Sequence, residues 1–298
     1  MKKLLLGVLL VALLLLAIST PAVLAKSDGP GQVNATDVQI VKKVTLKGPA
    51  ARGGKTAPTA ATGILGNLTQ GAKYAIVIGI NDYPGSGSDL QYTVADADEM
   101  KYVLLNTYEF DYVIELTNTN ATRTAIYEAI NTIKGVAESG DEVVFFFSGH
   151  GAKGKADDGD KNNVDQSIVV QEVVQGTLQF AFIWDGELVQ WFSGFPTSRI
   201  IFVFDSCLSG GMSVLKAPGR VVCMASTINS MSLEGAAWGG GHGQFTYYFA
   251  EEGMGMKKAD VRPQDNKVTV EEAFDYANAN CKSQTPTIAD GFTNDLLP

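Results

Sequence analysis

The chain has 298 residues, 45% of them apolar and 18% charged, which excludes a largely disordered chain and supplies enough apolar surface for one large α/β domain. Its net charge of −9 argues against nucleic acid as partner, since phosphate binding needs a concentrated basic face, and cationic partners fit better. Three cysteines are too few for a disulfide scaffold, and an odd count leaves at least one thiol unpaired.

Residues 1–25 have the form of a secretory signal peptide: Met1-Lys-Lys at the start, an apolar run to Ile18, and the small-residue end Pro21-Ala-Val-Leu-Ala25. The run is short for a bilayer span and no other segment is long enough to cross, so the expected product is secreted or envelope-associated, with no membrane contact after signal cleavage. Residues 26–71 are rich in Ala, Thr, Gly, Pro and Lys and read as a propeptide or linker, in which Val38 to Leu46 alternates like a lone strand. Periodic sequence then begins, and 72–298 reads as the main domain.

Tyr74 to Ile78 is a buried strand, followed by a turn at Asn81–Ser88 and a helix from about Val94 to Leu105. Tyr112 to Leu116 and Asp141 to Phe147 fit the next two strands, separated by a helix capped at Asn120 or Thr122 and running to about Ala137. A short helix over Glu187 to Phe195, ended by Pro196, precedes strands at Ile200 to Phe204 and Arg220 to Ala225. Helices at Gln244–Glu252 and Val270–Cys281 complete an α/β alternation that predicts a mainly parallel central sheet with helices on both faces.

Two apolar runs end abruptly in glycine-flanked polar residues: Phe145-Phe-Phe-Ser-Gly-His-Gly151 and Ile200-Ile-Phe-Val-Phe-Asp-Ser-Cys-Leu-Ser-Gly-Gly211. Reactive groups in such sheets collect beyond the carboxyl ends of the strands, so these runs can set the base His150 beside the thiol Cys207. Cys223 and Cys281 read as buried structural thiols, with a disulfide between them as the alternative. His242 fits a packing role at a helix start. Gly53-Gly-Lys-Thr56 fails as a phosphate loop because Pro49 stands where its first glycine belongs.

On these motifs, with Ala75-Ile-Val-Ile-Gly-Ile-Asn-Asp-Tyr83, Leu90-Gln-Tyr-Thr-Val-Ala-Asp-Ala97 and His242-Gly-Gln-Phe-Thr-Tyr-Tyr248, the chain from about Lys73 resembles the caspase-like cysteine peptidases, closest to the metacaspase and bacterial caspase-homologue branch. It departs from the metacaspase pattern at Leu208, where a histidine is usual, and at Ala95, where Asn precedes the aspartate. The resemblance implies a caspase-haemoglobinase-like fold and a peptidase with Cys207 as nucleophile, His150 as general acid/base, and an oxyanion hole from the Gly151 and Cys207 amides. It implies an acidic pocket for Arg or Lys at Asp96 and Asp205, with Asp98 a competing carboxylate, and hence protein or peptide substrates carrying basic residues.

No cofactor is required for that chemistry. The stretch Lys155–Asp165 offers Asp157, Asp158, Asp160 and Asp165, hard oxygen ligands of the kind that bind Ca2+, and resembles the acidic loop of calcium-activated metacaspases; a solvated acidic turn is the alternative. Autolytic removal of a propeptide is expected, with Lys47, Arg52, Lys55, Lys216 and Arg220 as candidate cut sites, and the resemblance implies a monomer. The competing functions are a non-catalytic caspase-like scaffold and a legumain- or clostripain-like peptidase of other specificity.

Overall fold

Residues 75–78, 143–147, 200–204 and 221–224 are apolar at every position, and because successive side chains of a strand point to opposite sides, each run must be covered on both faces. The computed structural model describes residues 30–47, 59–159 and 164–298, all but the first two of them in the unit from Gln32 to Pro298; the signal-peptide reading lies outside the described residues. The strands of that unit in chain order are β1 (Ala35–Val41), β2 (Val44–Leu46), β3 (Lys73–Gly79), β4 (Tyr112–Thr117), β5 (Glu142–Ser148), β6 (Gly151–Ala156) and β7 (Asp165–Val174). They continue with β8 (Thr177–Trp184), β9 (Ile200–Asp205), β10 (Arg220–Met224), β11 (Leu233–Gly235), β12 (His242–Gly243) and β13 (Thr287–Asp290).

The central sheet has the order β13-β10-β9-β5-β3-β4 and is parallel except for β13, which closes one edge against β10. On one face Ile76, Ile78, Phe145, Phe147, Phe202 and Phe204 pack with Ile126, Ile130 and Ile133 of helix Arg123–Val136 and Leu188 of helix Asp185–Trp191. On the other, Val77, Val144, Phe146, Val203 and Val221 meet helices Thr93–Asn106 and Val270–Asn280 and the π-wound turn Tyr247–Gly255. Helix starts follow the local code. Thr122 Oγ1 accepts from the Ala125 amide at 3.0 Å, and Thr269 and Glu272 form a reciprocal capping box.

Several expectations change. The stretch from Val38 to Leu46 is no lone strand. It breaks at Lys42-Lys43 into β1, antiparallel to β6, and β2, parallel to β11. A second, antiparallel sheet, β1-β6-β7-β8, was not legible, since β6 reads Gly-Ala-Lys-Gly-Lys-Ala with no apolar alternation. The Gln244–Glu252 helix is one α-turn at Gln244–Thr246 followed by the π-wound segment. No disulfide joins Cys223 to Cys281: both are buried thiols, and Cys281 Sγ lies 3.8 Å from the Gln244 carbonyl oxygen.

Beneath the second face, Glu271 is wholly buried and accepts from the Leu296 amide at 2.7 Å. Burial pushes its carboxyl up to about 8. A folded pKa above the unfolded one gives stability that is complete below the ordinary glutamate value and is lost as pH rises toward 8. The thermal midpoint should therefore fall between pH 5 and pH 8.5, and Glu271→Gln should flatten that slope. An unaltered slope in the variant would assign the pH dependence elsewhere.

Candidate active site

Strands β5 and β9 are paired in register, Ser148 opposite Asp205, and the Gly149 amide donates to the Asp205 carbonyl at 3.3 Å. Two residues beyond each strand end stand His150 and Cys207, so parallel pairing alone brings both loops to one rim. Their backbones touch: a Cβ at Gly151 would lie 1.9 Å from the Cys207 carbonyl oxygen, so only glycine permits this approach. After Cys207 the chain turns sharply at Leu208, a non-glycine residue at φ +61°, and the Leu208 amide donates to the Ser230 carbonyl at 2.9 Å. The Cys207 sulfur accepts from the Ser232 amide at 3.2 Å.

His150 is oriented from three sides. Its Nε2 lies 2.7 Å from the Ser88 carbonyl oxygen, which can only accept, so Nε2 carries the proton and Nδ1 presents a lone pair. The Tyr83 ring stacks on the imidazole with centroids 4.7 Å apart, and the Tyr83 hydroxyl accepts from the His150 amide and donates to the Val169 carbonyl, both at 3.0 Å. The lone pair is already occupied, because the Lys43 amide donates to Nδ1 at 3.0 Å.

Lys43 also fills the neighbouring pocket. Its ammonium lies 2.9 Å from Asp205 Oδ1 and 3.5 Å from Asp96 Oδ2, and donates to Ser148 Oγ at 3.0 Å and the Asp205 carbonyl at 3.1 Å, with all three charged side chains fully buried. Each carboxylate is held in turn. Asp205 accepts from Ser232 Oγ at 2.5 Å and from the amide and hydroxyl of Thr246 at 3.0 and 2.8 Å. Asp96 accepts from Ser148 Oγ at 2.6 Å, from the Gly243 amide at 2.8 Å, and pairs with His242 Nδ1 at 3.1 Å. A Cβ at Gly243 would meet Asp205, Lys43 and Asp96 within 2.8 Å, so a glycine keeps the pocket open.

Burial works against every charge here, and the pairing decides the outcome. Burial would lower the Lys43 ammonium, but Asp205, Asp96 and Glu234 outweigh it and hold it above the ordinary lysine value. Burial would raise Asp96, but Lys43, His242 and Ser148 hold its carboxyl below the ordinary range. At His150 and Cys207, each 1% exposed, burial outweighs the compensation from Ser88 and Ser232: it pushes the thiol up to about 11 and the imidazole down to about 4. The resting pair is therefore un-ionised.

The predicted residues thus assemble in one place: His150, Gly151, Cys207, Asp96 and Asp205. Asp98 does not join them, being exposed and paired with Glu115. The sequence reading missed Lys43, Ser148, Tyr83, Ser232 and Thr246. Ser148, Tyr83 and Thr246 lie inside the motifs that carry the resemblance, whereas nothing local marks Lys43.

The expected oxygen cluster is corrected. Asp158 and Asp165 converge with Asp185, their carboxylate oxygens within 4.8 Å of one another and all three buried, while Asp157 is exposed and Asp160 lies outside the described residues. Asp185, at the start of helix Asp185–Trp191, is the ligand candidate that the loop composition did not reveal. Each carboxylate accepts a backbone amide: Asp158 that of Gly186 at 3.0 Å, Asp165 that of Ala156 at 2.6 Å, and Asp185 that of Gln166 at 3.3 Å. An all-oxygen, triply acidic donor set fits a hard divalent cation.

The family model "Metacaspase, peptidase C14 domain" matches residues 73–216. The chain is 31% identical to Metacaspase-4 of Arabidopsis thaliana over 150 residues, 47% of this chain and 34% of that protein. It is 32% identical to Metacaspase-1 of Schizosaccharomyces pombe over 155 residues, 48% of this chain and 35% of the other. The chain therefore spans about a third of the length of these curated relatives. Among solved structures, protein GSU0716 from Geobacter sulfurreducens shares the fold with a TM-score of 0.55 at 17% identity, over 76% of this chain and 95% of that one.

Proposed function

From the match of residues 73–216 to the metacaspase, peptidase C14 family model we propose that the protein is a cysteine endopeptidase that cuts after Arg or Lys. The observation that carries the specificity is the Lys43 ammonium buried between Asp205 and Asp96, on the same rim as Cys207 and His150. A cation enters such a pocket only if carboxylates replace its lost hydration, so an uncharged side chain there would leave them unpaired at a cost of several kcal/mol.

In the reaction, His150 takes the Cys207 proton and Sγ attacks the carbonyl carbon after the basic residue. The negative oxygen that forms is met by the Gly151 and Cys207 amides. Collapse of the intermediate expels the amine, protonated by His150, and water then hydrolyses the acyl-enzyme.

Export as a zymogen and a monomeric state extend the proposal, the first on the character of residues 1–25, the second on the family resemblance. Among the described residues no helix is long and apolar enough to cross a membrane. Calcium, held by Asp158, Asp165 and Asp185, would tie the start of β7 to helix Asp185–Trp191. Because β7 pairs with β6 at Ile168 opposite Gly151, that clamp would steady the loop bearing His150.

The test is hydrolysis of fluorogenic peptides ending in Arg, Lys, Asp or Asn, in calcium and in chelator. Cleavage confined to Arg and Lys, faster in calcium and insensitive to calcium in Asp185→Asn, is the expected result. Cleavage after Asp or Asn alone would refute the pocket, and equal rates with and without calcium would remove the ion from the proposal.

A further inference from the structure

Ala35–Leu46 crosses the site as a strap. Its first half is pinned to β6 and its second to β11, with Lys42 and Lys43 bridging the gap over the catalytic pair. Hydrolysis after a basic residue imposes a direction on any chain in that position. The residue filling the pocket must offer its carbonyl carbon to the thiol, and the nitrogen that follows it must face the imidazole that protonates it as it departs.

Lys43 fills the pocket but violates that order. The nitrogen bonded to His150 Nδ1 is Lys43's own, at 3.0 Å. The nitrogen that would have to leave, that of Val44, donates instead to the Ser232 carbonyl at 3.1 Å. In a chain bound for cleavage these two contacts would be exchanged.

Strand direction agrees with the contacts: Val44, Thr45 and Leu46 run parallel to Leu233, Glu234 and Gly235. The residues that follow the anchor therefore lie along β11, the side on which the exchanged arrangement would put those preceding it. Thr45 Oγ1 fastens this course by donating to Glu234 Oε1 at 2.6 Å. The bond before Lys43 is no better served, because Lys42 is exposed with its ammonium on the Gly87 carbonyl, leaving no basic residue in the pocket on the acyl side.

We propose that Ala35–Leu46 is an intramolecular inhibitor bound backwards in the specificity pocket, closing the enzyme with a lysine that it recognises and does not cut. The inference rests on the reading of the Asp96–Asp205 pocket as the subsite for basic residues. It adds that the strap must be displaced rather than cut at Lys43 for substrate to enter.

The test uses the full chain as wild type and as Lys43→Ala, Lys43→Arg, Val44→Pro and Cys207→Ala, following intact mass, turnover of Arg- and Lys-ended peptides, and alkylation of Cys207 by iodoacetamide. Wild type should stay uncut at both Lys42–Lys43 and Lys43–Val44. Lys43→Ala should gain about tenfold or more in turnover and in alkylation, because a docked strap sets the fraction of open enzyme. Lys43→Arg should stay closed, and Val44→Pro, which keeps the lysine but loses the amide on Ser232, should open the site in the same direction. A cut at either bond in wild type that is absent from Cys207→Ala would overturn the backward binding. Unchanged alkylation and turnover in both Lys43→Ala and Val44→Pro would overturn the inhibition. Faster alkylation of Lys43→Ala with no turnover of any Arg or Lys peptide would keep the strap and reject the subsite reading on which it was built.

Discussion

Cys207→Ala should lower kcat/KM toward Arg- and Lys-ended peptides by at least about a thousandfold while leaving the fold intact, since the covalent route through the acyl-enzyme has no substitute nucleophile. Ser206 is the neighbouring hydroxyl, and it is buried. The structural cost falls on Ser232, whose amide donates to the Cys207 sulfur at 3.2 Å and whose carbonyl accepts from the thiol at 3.9 Å. A loss of that size is about 1–2 kcal/mol, or a few degrees in the thermal midpoint. Steady-state kinetics in the Lys43→Ala background, paired with thermal unfolding, separate the two effects. Retention of more than a tenth of the activity would show that Cys207 is not the nucleophile.

Asp205→Asn keeps the shape of the pocket and removes the carboxylate closest to the buried cation. In its place an ammonium or guanidinium would face Asp96 alone, which in the docked strap stands at 3.5 Å against 2.9 Å for Asp205. Deleting one partner of a fully desolvated ion pair costs about 3–5 kcal/mol, so kcat/KM for Arg and Lys peptides should drop by roughly two to four orders of magnitude. Peptides ending in norleucine or Gln should change far less, because for them the charge was never matched. Measured in the Lys43→Ala background, a drop of less than about fivefold on Lys peptides would move the determinant to Asp96.

The central strands and the rim were legible because continuous apolar runs admit only a doubly covered parallel sheet, and such sheets release their chemistry at strand ends. His150 and Cys207 could therefore be found without coordinates. Lys43 could not, since a lysine in an alternating leader looks like any solvated charge until distant carboxylates close around it. Asp185 was hidden for a related reason: it joins Asp158 and Asp165 only because β7 and β8 fold back as a hairpin, which no local pattern announced. Asp98 and Asp96 sit two residues apart on one helix, and 100° per residue turns one into the pocket and the other to solvent.

Strand β1 occupies the outer margin of the antiparallel sheet and blunts it, with a register shift between Thr36 and Gln39 and Asp37 at φ +56°. Lifting the strap hands that outermost role to β6, whose glycines and alanines leave its backbone open between the two lysines, Lys153 and Lys155. The awakened form of the molecule would thus carry a bare row of main-chain donors and acceptors beside its reactive centre, a template on which a second extended polypeptide can be laid.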